Sequence, residues 1–259
     1  MDTMDQMIAM YSCRRKTRRW PLVVFFNMLD ISALNAYIVW TAIDPTWNVR
    51  KSCRRRLFLD QLGKMLVMPE RVGDIPDAFD LFLNEEMTQV ITRYTNLHGR
   101  RTVRGWKDLD ATTIRAYFGL LLLAGVYRSR GEATRSLWGG ETGRHIFRVT
   151  MPRKTFEIIS RSLCFDDRLS RPRRRDDKLA VIRDMWDQWT DRLPQIFNPG
   201  ADICVDEQLV AYRGRCNFRQ YMPKKPGRYG VKIWATCDVV TSYVWRVSVY
   251  TGRSARAPP

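Results

Sequence analysis

The 259-residue chain combines a large positive charge with a composition that suits a folded core. Lysine and arginine number 44 against 27 aspartates and glutamates, which gives a net charge of +17 at pH 7. Hydrophobic residues make up 45% of the sequence, so global disorder is excluded. A charge of this size indicates a polyanionic partner, usually nucleic acid, although ribosomal or membrane-surface binding would give a similar balance.

The cysteines and histidines do not indicate a metal site. The six cysteines stand at positions 13, 53, 164, 204, 216 and 237 with no C-x-x-C pair, and His98 and His145 are isolated. Zinc ligands usually come in closely spaced pairs, so we expect no zinc site. The opening "MDTMDQM" lacks the features of a secretory signal, and reduced intracellular thiols are therefore expected.

The first section is predicted to be helical. After the basic run "CRRKTRR", the stretch "PLVVFFNMLDISALNAYIVW" is long and apolar enough to raise the question of a membrane span. Polar residues such as Asn27 and Asp30 interrupt it, and a carboxylate is costly in lipid, which favours a buried helix that ends at Asp44. A second helix is expected in "RRRLFLDQLGKMLVMP", and "VGDIP", residues 72–76, is typical of a linker.

The middle section also has the apolar spacing of helices. The pattern recurs in "DAFDLFLNEEMTQVITRYTNLHGRR", "DATTIRAYFGLLLLAGVY", "MPRKTFEIISRSLCF" and "DDKLAVIRDMWDQWTDRLPQIF". Asp110 is placed to cap the second of these helices.

The last section is typical of a small sheet. Short runs rich in β-branched and aromatic residues follow Asp202 and predict a meander of three or four antiparallel strands. Because such a sheet needs cover on a face, we expect the helix bearing Asn27 and Asp30 to pack on it. Two acids, Asp206 and Glu207, interrupt the first strand. They are either surface acids on an edge or, for one of them, a metal ligand.

The run "VDEQLVAYRGRCNFRQYMPKKPGRYGVKIWATCDVVTSYVWRVSVYTGR", residues 205–253, resembles the start of the catalytic domain of piggyBac-family transposases and their domesticated derivatives. The shared pattern is Asp-Glu, Gly-Arg, Tyr-Met-Pro-x-Lys-Pro, Gly-x-Lys, Cys-Asp and Tyr-x-Gly. "YTN", "YFGLLLLAGVYR" and "FDDRLSRPRRRDDKLAVIRDMWD" extend the resemblance upstream. Residues 1–40 resemble the family's segment with its last catalytic Asp, which normally lies downstream, so the order is altered here.

This resemblance implies an RNase H-like fold in which three acids hold two divalent metal ions for phosphodiester displacement. By matched position, Asp206 is the first acid and Asp2 the third, both metal ligands, with Asp5 as an accessory acid. The family's middle acid lies in an Asp-Asn-x-Phe pattern, and no Asp-Asn pair occurs in these 259 residues. Two acids are expected to hold Mg²⁺ only weakly. Glu207 is expected to be structural.

Nucleic-acid contacts are expected from cations near the first strand, for which a solvated β-turn is the alternative interpretation. They are Arg213, Arg215, Lys224, Lys225, Arg228 and Lys232.

The expected fold is α+β, mainly helical in its N-terminal and middle regions, with a partial RNase H-like antiparallel sheet at the C-terminus. The expected divisions are a displaced third-Asp segment at 1–44, a helix and linker at 45–76, a helical region at 77–200, the first catalytic-domain strands at 201–253 and a tail at 254–259.

The expected function is DNA binding in the nucleus, with ancestral cleavage and strand transfer lost and no membrane association. A homodimer or a related transposase chain is a possible partner. Two alternatives stay open: an active transposase completed in trans, and a domesticated chromatin or protein-interaction module.

Overall fold

The computed structural model describes residues 2–68, 74–141 and 143–252, apart from the side chains of Asp2, Thr3 and Asp74. Within these ranges the chain is about half helical, with one small antiparallel sheet near its C-terminus. The expected tail at 254–259 and the start of the expected linker lie outside the described residues.

The helices occupy the first three quarters of the chain. Their bounds are α1 Asp2–Met10, α2 Trp20–Ile43, α3 Arg54–Val67, α4 Asp74–Asp80, α5 Glu85–Thr102, α6 Ala111–Val126, α7 Thr134–Leu137, α8 His145–Thr150, α9 Arg153–Ser162 and α10 Arg183–Ile196, with a 3-10 helix at Arg168–Arg174 before the last of these.

Helix α2 forms the centre of the molecule. Pro21 stands in its first turn, where a missing N–H costs nothing, and the helix ends at Asp44, which precedes a proline as expected. Its length and hydropathy would suffice to cross a membrane, but 89% of the apolar window is buried inside the protein. A helix that is apolar on all sides needs cover on all sides, and here the surrounding elements provide it.

The middle helices form where their sequences predict them, with three differences in their bounds. The pattern at residues 77–101 is divided between α4 and α5, because the Asn84 side chain accepts from the Met87 N–H at 3.0 Å and caps α5. The Asp110 carboxylate accepts a hydrogen bond from the Thr113 N–H at 2.7 Å, which confirms it as the cap of α6. Helix α4 begins at Asp74, inside the stretch expected to be a linker. Helix α10 begins at Arg183, seven residues later than its pattern predicts, because Asp177 accepts from the Leu179 N–H at 2.9 Å and holds the preceding residues in turns.

The sheet contains β1 Ile203–Ala211, β2 Gln220–Tyr221, β3 Tyr229–Asp238 and β4 Val244–Val249. Strand β3 is central: it pairs antiparallel with β1 over its whole length on one side, and with β2 and then β4 on the other. Strands β1, β3 and β4 therefore make the expected meander, and the two-residue β2 is an addition beside the start of β3.

Helix α2 packs on this sheet, which confirms the expectation drawn from its apolar composition. The Asn35 amide donates to the Val244 carbonyl and accepts from the Val244 N–H, each at 2.9 Å. The Asn27 amide donates to the Gln208 side chain at 2.8 Å. Two of the polar residues that interrupt the apolar helix, Asn27 and Asn35, thus attach it to β1 and β4.

Candidate nucleic-acid interface and acidic site

The inner face of β1, which faces α1 and α2, carries Asp206 and Gln208. Side chains alternate along a strand, so residues two apart share a face. Gln208 is 5% exposed and contacts α2, and Asp206 lies opposite Ala235 of β3, which is 1% exposed. Asp206 therefore projects on the side of the sheet that the helices cover.

Helix α1 reaches the same face. The Gln208 amide donates to the Asp5 carboxylate at 3.0 Å, although the two residues are 203 positions apart. The Lys225 ammonium lies 3.9 Å from the other Asp5 oxygen and donates to the Glu207 carbonyl at 2.9 Å. The structure thus brings Asp5 beside the strand of Asp206. The Asp2 side chain lies outside the described residues.

The described side chains do not supply the acids of a two-metal site. Among them no group of three His, Cys, Asp or Glu side chains could hold a metal ion. Asp206 accepts from the Glu207 backbone N–H at 2.7 Å, and Asp5 has the Lys225 ammonium beside it. A divalent ion is usually held by several carboxylates together with substrate phosphate. The described donor set therefore does not fit the ion that the family resemblance implies.

Glu207 points to the outer face of the sheet. It lies opposite Trp234, and its carboxylate is 3.7 Å from the Lys232 ammonium, which in turn lies 4.0 Å from the Trp234 ring centroid. This acid of the first strand is balanced by a side chain of the neighbouring strand, a contact consistent with a structural role.

The cations expected to contact nucleic acid are not all on one surface. Lys232 lies on the outer face with Glu207, and Lys225 is held between Asp5 and the Glu207 carbonyl. Lys224 and Arg228 are exposed in the turn between β2 and β3. Arg213 and Arg215 follow β1 and line a separate groove.

The basic run at residues 14–19 has two kinds of member. Three arginines donate to backbone carbonyls. Arg14 donates to the Ala211 carbonyl, and Arg15 donates to those of Ser129 at 2.5 Å and Glu132 at 2.6 Å. Arg19 donates to the carbonyls of Arg161 at 2.7 Å and Leu163 at 2.6 Å. The other two cations, Lys16 and Arg18, are exposed. Part of this charge run therefore joins α1 and α2 to the rest of the fold, and the remainder faces outward.

Lys16 and Arg18 line the same groove as Arg213 and Arg215. This basic groove, of about 830 Å³, is formed by Arg14, residues 16–18, residues 211–215, Gly227 and Tyr229. The Tyr212 hydroxyl donates to the Arg18 carbonyl at 2.5 Å and fixes the two walls together. Within the described part of the chain, none of these four cations has a carboxylate within ion-pair distance, so their charge is open to an external anion.

A second pocket, of about 380 Å³, adjoins the basic groove and shares Arg14, Ala211 and Gly227 with it. Asp30 lines it and is 8% exposed. Burial raises the pKa of Asp30 to about 6, against the opposing effect of hydrogen bonds from the Cys13 N–H at 2.8 Å and the Ser12 hydroxyl at 2.6 Å. Burial, together with the nearby Arg130, lowers the pKa of Arg14 to about 10.

Sequence reasoning missed Lys16 and Arg18 as members of the site. It named the run "CRRKTRR" only as a basic stretch before α2 and gave it no part in the site. The signal that could have found them is the altered order itself: if residues 1–40 pack beside β1, the run between the two helices must pass the end of that strand.

Comparison with known proteins assigns the chain to a family. The family model described as "Transposase IS4" matches residues 76–259. Human "PiggyBac transposable element-derived protein 3" is 26% identical over 183 residues, which cover 69% of this chain and 29% of that protein. The human "Chimeric ERCC6-PGBD3 protein" is also 26% identical over 183 residues, 69% of this chain and 16% of its own length. The chain therefore spans under a third of the curated relatives it matches.

A solved structure supports the same assignment. The cryo-EM structure of the piggyBac transposase synaptic complex with hairpin DNA matches with a TM-score of 0.68 and 32% identity, covering 73% of this chain and 41% of that one. The expected α+β fold with an RNase H-like sheet is thereby confirmed. Transposases of this type typically use a divalent metal ion. From the family model, the chain belongs to the Transposase IS4 family, within which it is similar to piggyBac transposase and to piggyBac-derived proteins.

Proposed function

We propose that this chain binds DNA through the basic groove. The observation that carries the proposal is the convergence of Lys16 and Arg18 with Arg213 and Arg215 on one groove, although the two pairs are almost 200 positions apart. Four exposed cations without ion-pair partners among the described residues would attract a phosphate backbone, since binding there releases condensed counterions. The solved relative is a complex with DNA, which supports the same partner.

The test is the salt dependence of DNA affinity. The fourfold variant Lys16→Ala, Arg18→Ala, Arg213→Ala, Arg215→Ala should bind duplex DNA more weakly at low salt. The slope of log affinity against log salt should fall by about 0.9 for each phosphate group that the variant no longer neutralises.

The control removes the same charge elsewhere. Arg104, Lys107, Arg135 and Arg148 are exposed and do not line the groove. Their fourfold alanine variant should keep most of the slope, because its charges act only at long range. An equal decrease of the slope in the two variants would show that net charge, and not the groove, governs binding.

Catalysis is a separate part of the proposal: the 259-residue chain binds DNA without cutting it. The support is the donor set on the inner face of β1, where Asp206 and Asp5 are accompanied by the Lys225 ammonium. With Mg²⁺ or Mn²⁺, the purified chain should leave supercoiled plasmid intact. Nicking that disappears in Asp206→Ala would contradict this and favour an active transposase.

Completion in trans is tested in the same assay. Because the chain spans 41% of the solved transposase it resembles, a second copy or a related transposase chain could supply further ligands. Nicking that appears only when a longer family member is added, and only with Asp206 intact, would support that alternative.

DNA binding as proposed also implies that the protein acts in the nucleus. The location of a fluorescent fusion of the chain in cells would test this.

A further inference from the structure

Two tyrosine rings stand exposed at the edge of the basic groove. Tyr221 of β2 and Tyr229 of β3 are register partners, with ring centroids 4.8 Å apart and planes tilted by 37°. The Arg219 guanidinium lies 5.3 Å from the Tyr229 centroid. Tyr221 is 55% exposed and Tyr229 is 41% exposed. Two adjacent exposed rings form a contiguous apolar surface, which is a feature of binding sites.

The hairpin that presents these rings is held in one conformation. The Met222 N–H donates to the Arg228 carbonyl at 2.7 Å, and the Lys225 N–H donates to the Met222 carbonyl at 3.1 Å. The Lys225 side chain ties the turn to β1 through the Glu207 carbonyl at 2.9 Å. A ligand that stacks on the rings therefore meets a surface that is already ordered, which reduces the entropy cost of binding.

The two rings adjoin cations that are free to meet phosphate. Tyr229 itself lines the groove together with Arg213 and Arg215. An aromatic surface beside a cationic groove is the arrangement that binds single-stranded nucleic acid, since every base has a flat face and every link carries a phosphate. In duplex DNA each base face is covered by the neighbouring base pair. The tyrosine rings could therefore contact only the sugar–phosphate backbone.

We infer that Tyr221 and Tyr229 form a stacking platform for unpaired bases of single-stranded DNA whose backbone lies in the basic groove. This inference rests on the proposed function and specifies which DNA structure the groove prefers. The phosphate backbone is held by Lys16, Arg18, Arg213 and Arg215, and one base stacks on the more exposed ring, Tyr221. The platform reads no sequence, because stacking requires only a base face.

The test compares single-stranded and duplex DNA with rings removed or retained. In the double variant Tyr221→Leu, Tyr229→Leu, affinity for an oligonucleotide of about 12 nucleotides should fall at least about fivefold, the effect of removing one stacked base. Affinity for a blunt duplex should fall by much less, because the base faces of a duplex are covered by their stacked neighbours. The double variant Tyr221→Phe, Tyr229→Phe keeps both rings and should bind single strands like the wild type. A 2-aminopurine in the oligonucleotide should lose fluorescence on binding the wild type and the Phe variant, but not the Leu variant.

Each outcome separates this inference from the DNA-binding proposal. If the Leu variant binds single strands and quenches 2-aminopurine like the wild type, the stacking platform is wrong. In that case, weaker duplex binding by the fourfold alanine variant would still support DNA binding by the basic groove. If the wild type binds neither DNA, both are wrong. If duplex and single-strand affinity fall equally in the Leu variant, the rings support the hairpin and do not stack on bases. Thermal unfolding followed by circular dichroism would check that the Leu variant is folded.

Discussion

At the scale of single residues, Asp30 has the least favourable environment for its charge. It is a carboxylate at 8% exposure, with hydrogen bonds from Ser12 and the Cys13 N–H as its compensation. Its folded-state pKa of about 6 lies above the ordinary value of 3.8. The folded protein therefore binds the Asp30 proton more tightly than the unfolded chain does, and the contribution of this residue to stability falls as the pH rises from about 4 to about 6.

This predicts the behaviour of Asp30→Asn. Asparagine does not ionise, so the free energy of unfolding of the variant relative to the wild type should rise by about 2 kcal/mol between roughly pH 4.5 and pH 7. Urea unfolding at the two pH values would measure it, with the exposed Asp191→Asn as the matched control. A relative stability that falls over this interval would contradict the burial argument.

Residue by residue, the sequence located the region of the candidate site but not which side chains share a surface. The motif around Asp206 predicted a strand, which the structure has as β1, and Asp5, named from the resemblance of residues 1–40, lies beside that strand. Lys232 was grouped with Arg213 from nearness along the chain, yet the alternation of side chains along strands puts Lys232 on the outer face with Glu207. Whether a basic residue faces solvent depends on whether a backbone carbonyl from a distant part of the chain accepts a hydrogen bond from it. A local sequence pattern does not show such distant contacts.

At the scale of elements, Asn35 is one of the two buried amides that attach α2 to the sheet. Asn35 is fully buried and satisfies both the N–H and the carbonyl of Val244. The variant Asn35→Leu would keep a similar volume and leave both backbone groups unpaired. We expect it to lower the free energy of unfolding by about 3 kcal/mol, measured by urea denaturation. The exposed Asn217→Ala should change it by less than about 0.5 kcal/mol. A small effect at Asn35 would mean that water or another side chain replaces the amide.

Element types were predictable because apolar periodicity and caps are local signals. Asp110 and the apolar run behind it predicted α6, and the strands followed from their β-branched composition. The late start of α10 was not predictable, because the Asp177 carboxylate binds both the Leu179 N–H and the Arg183 guanidinium, at 2.9 and 2.7 Å, and so competes with the helix for the residues between. Composition alone does not decide that competition.

At the scale of the whole molecule, segments from the two ends of the chain share one connected core. The hydrophobic core includes Met4 and Ile8 of α1, most of α2 and Val231 and Ile233 of β3. Helix α1 and strand β1 come from opposite ends of the chain and meet at Gln208. The central claim of the account is that this meeting also joins Lys16 and Arg18 to Arg213 and Arg215 in one DNA-binding groove.

The most direct test of that claim measures how duplex DNA affinity depends on salt concentration in two double variants, one for each wall of the groove. The quantity compared is the slope of log affinity against log salt. If the groove is one surface, Lys16→Ala with Arg18→Ala and Arg213→Ala with Arg215→Ala should each lower the slope by about 2, and the fourfold variant by about 4. A slope that depends on Arg213 and Arg215 but is unchanged by removal of Lys16 and Arg18 would contradict it, since the N-terminal run would then take no part in the DNA surface.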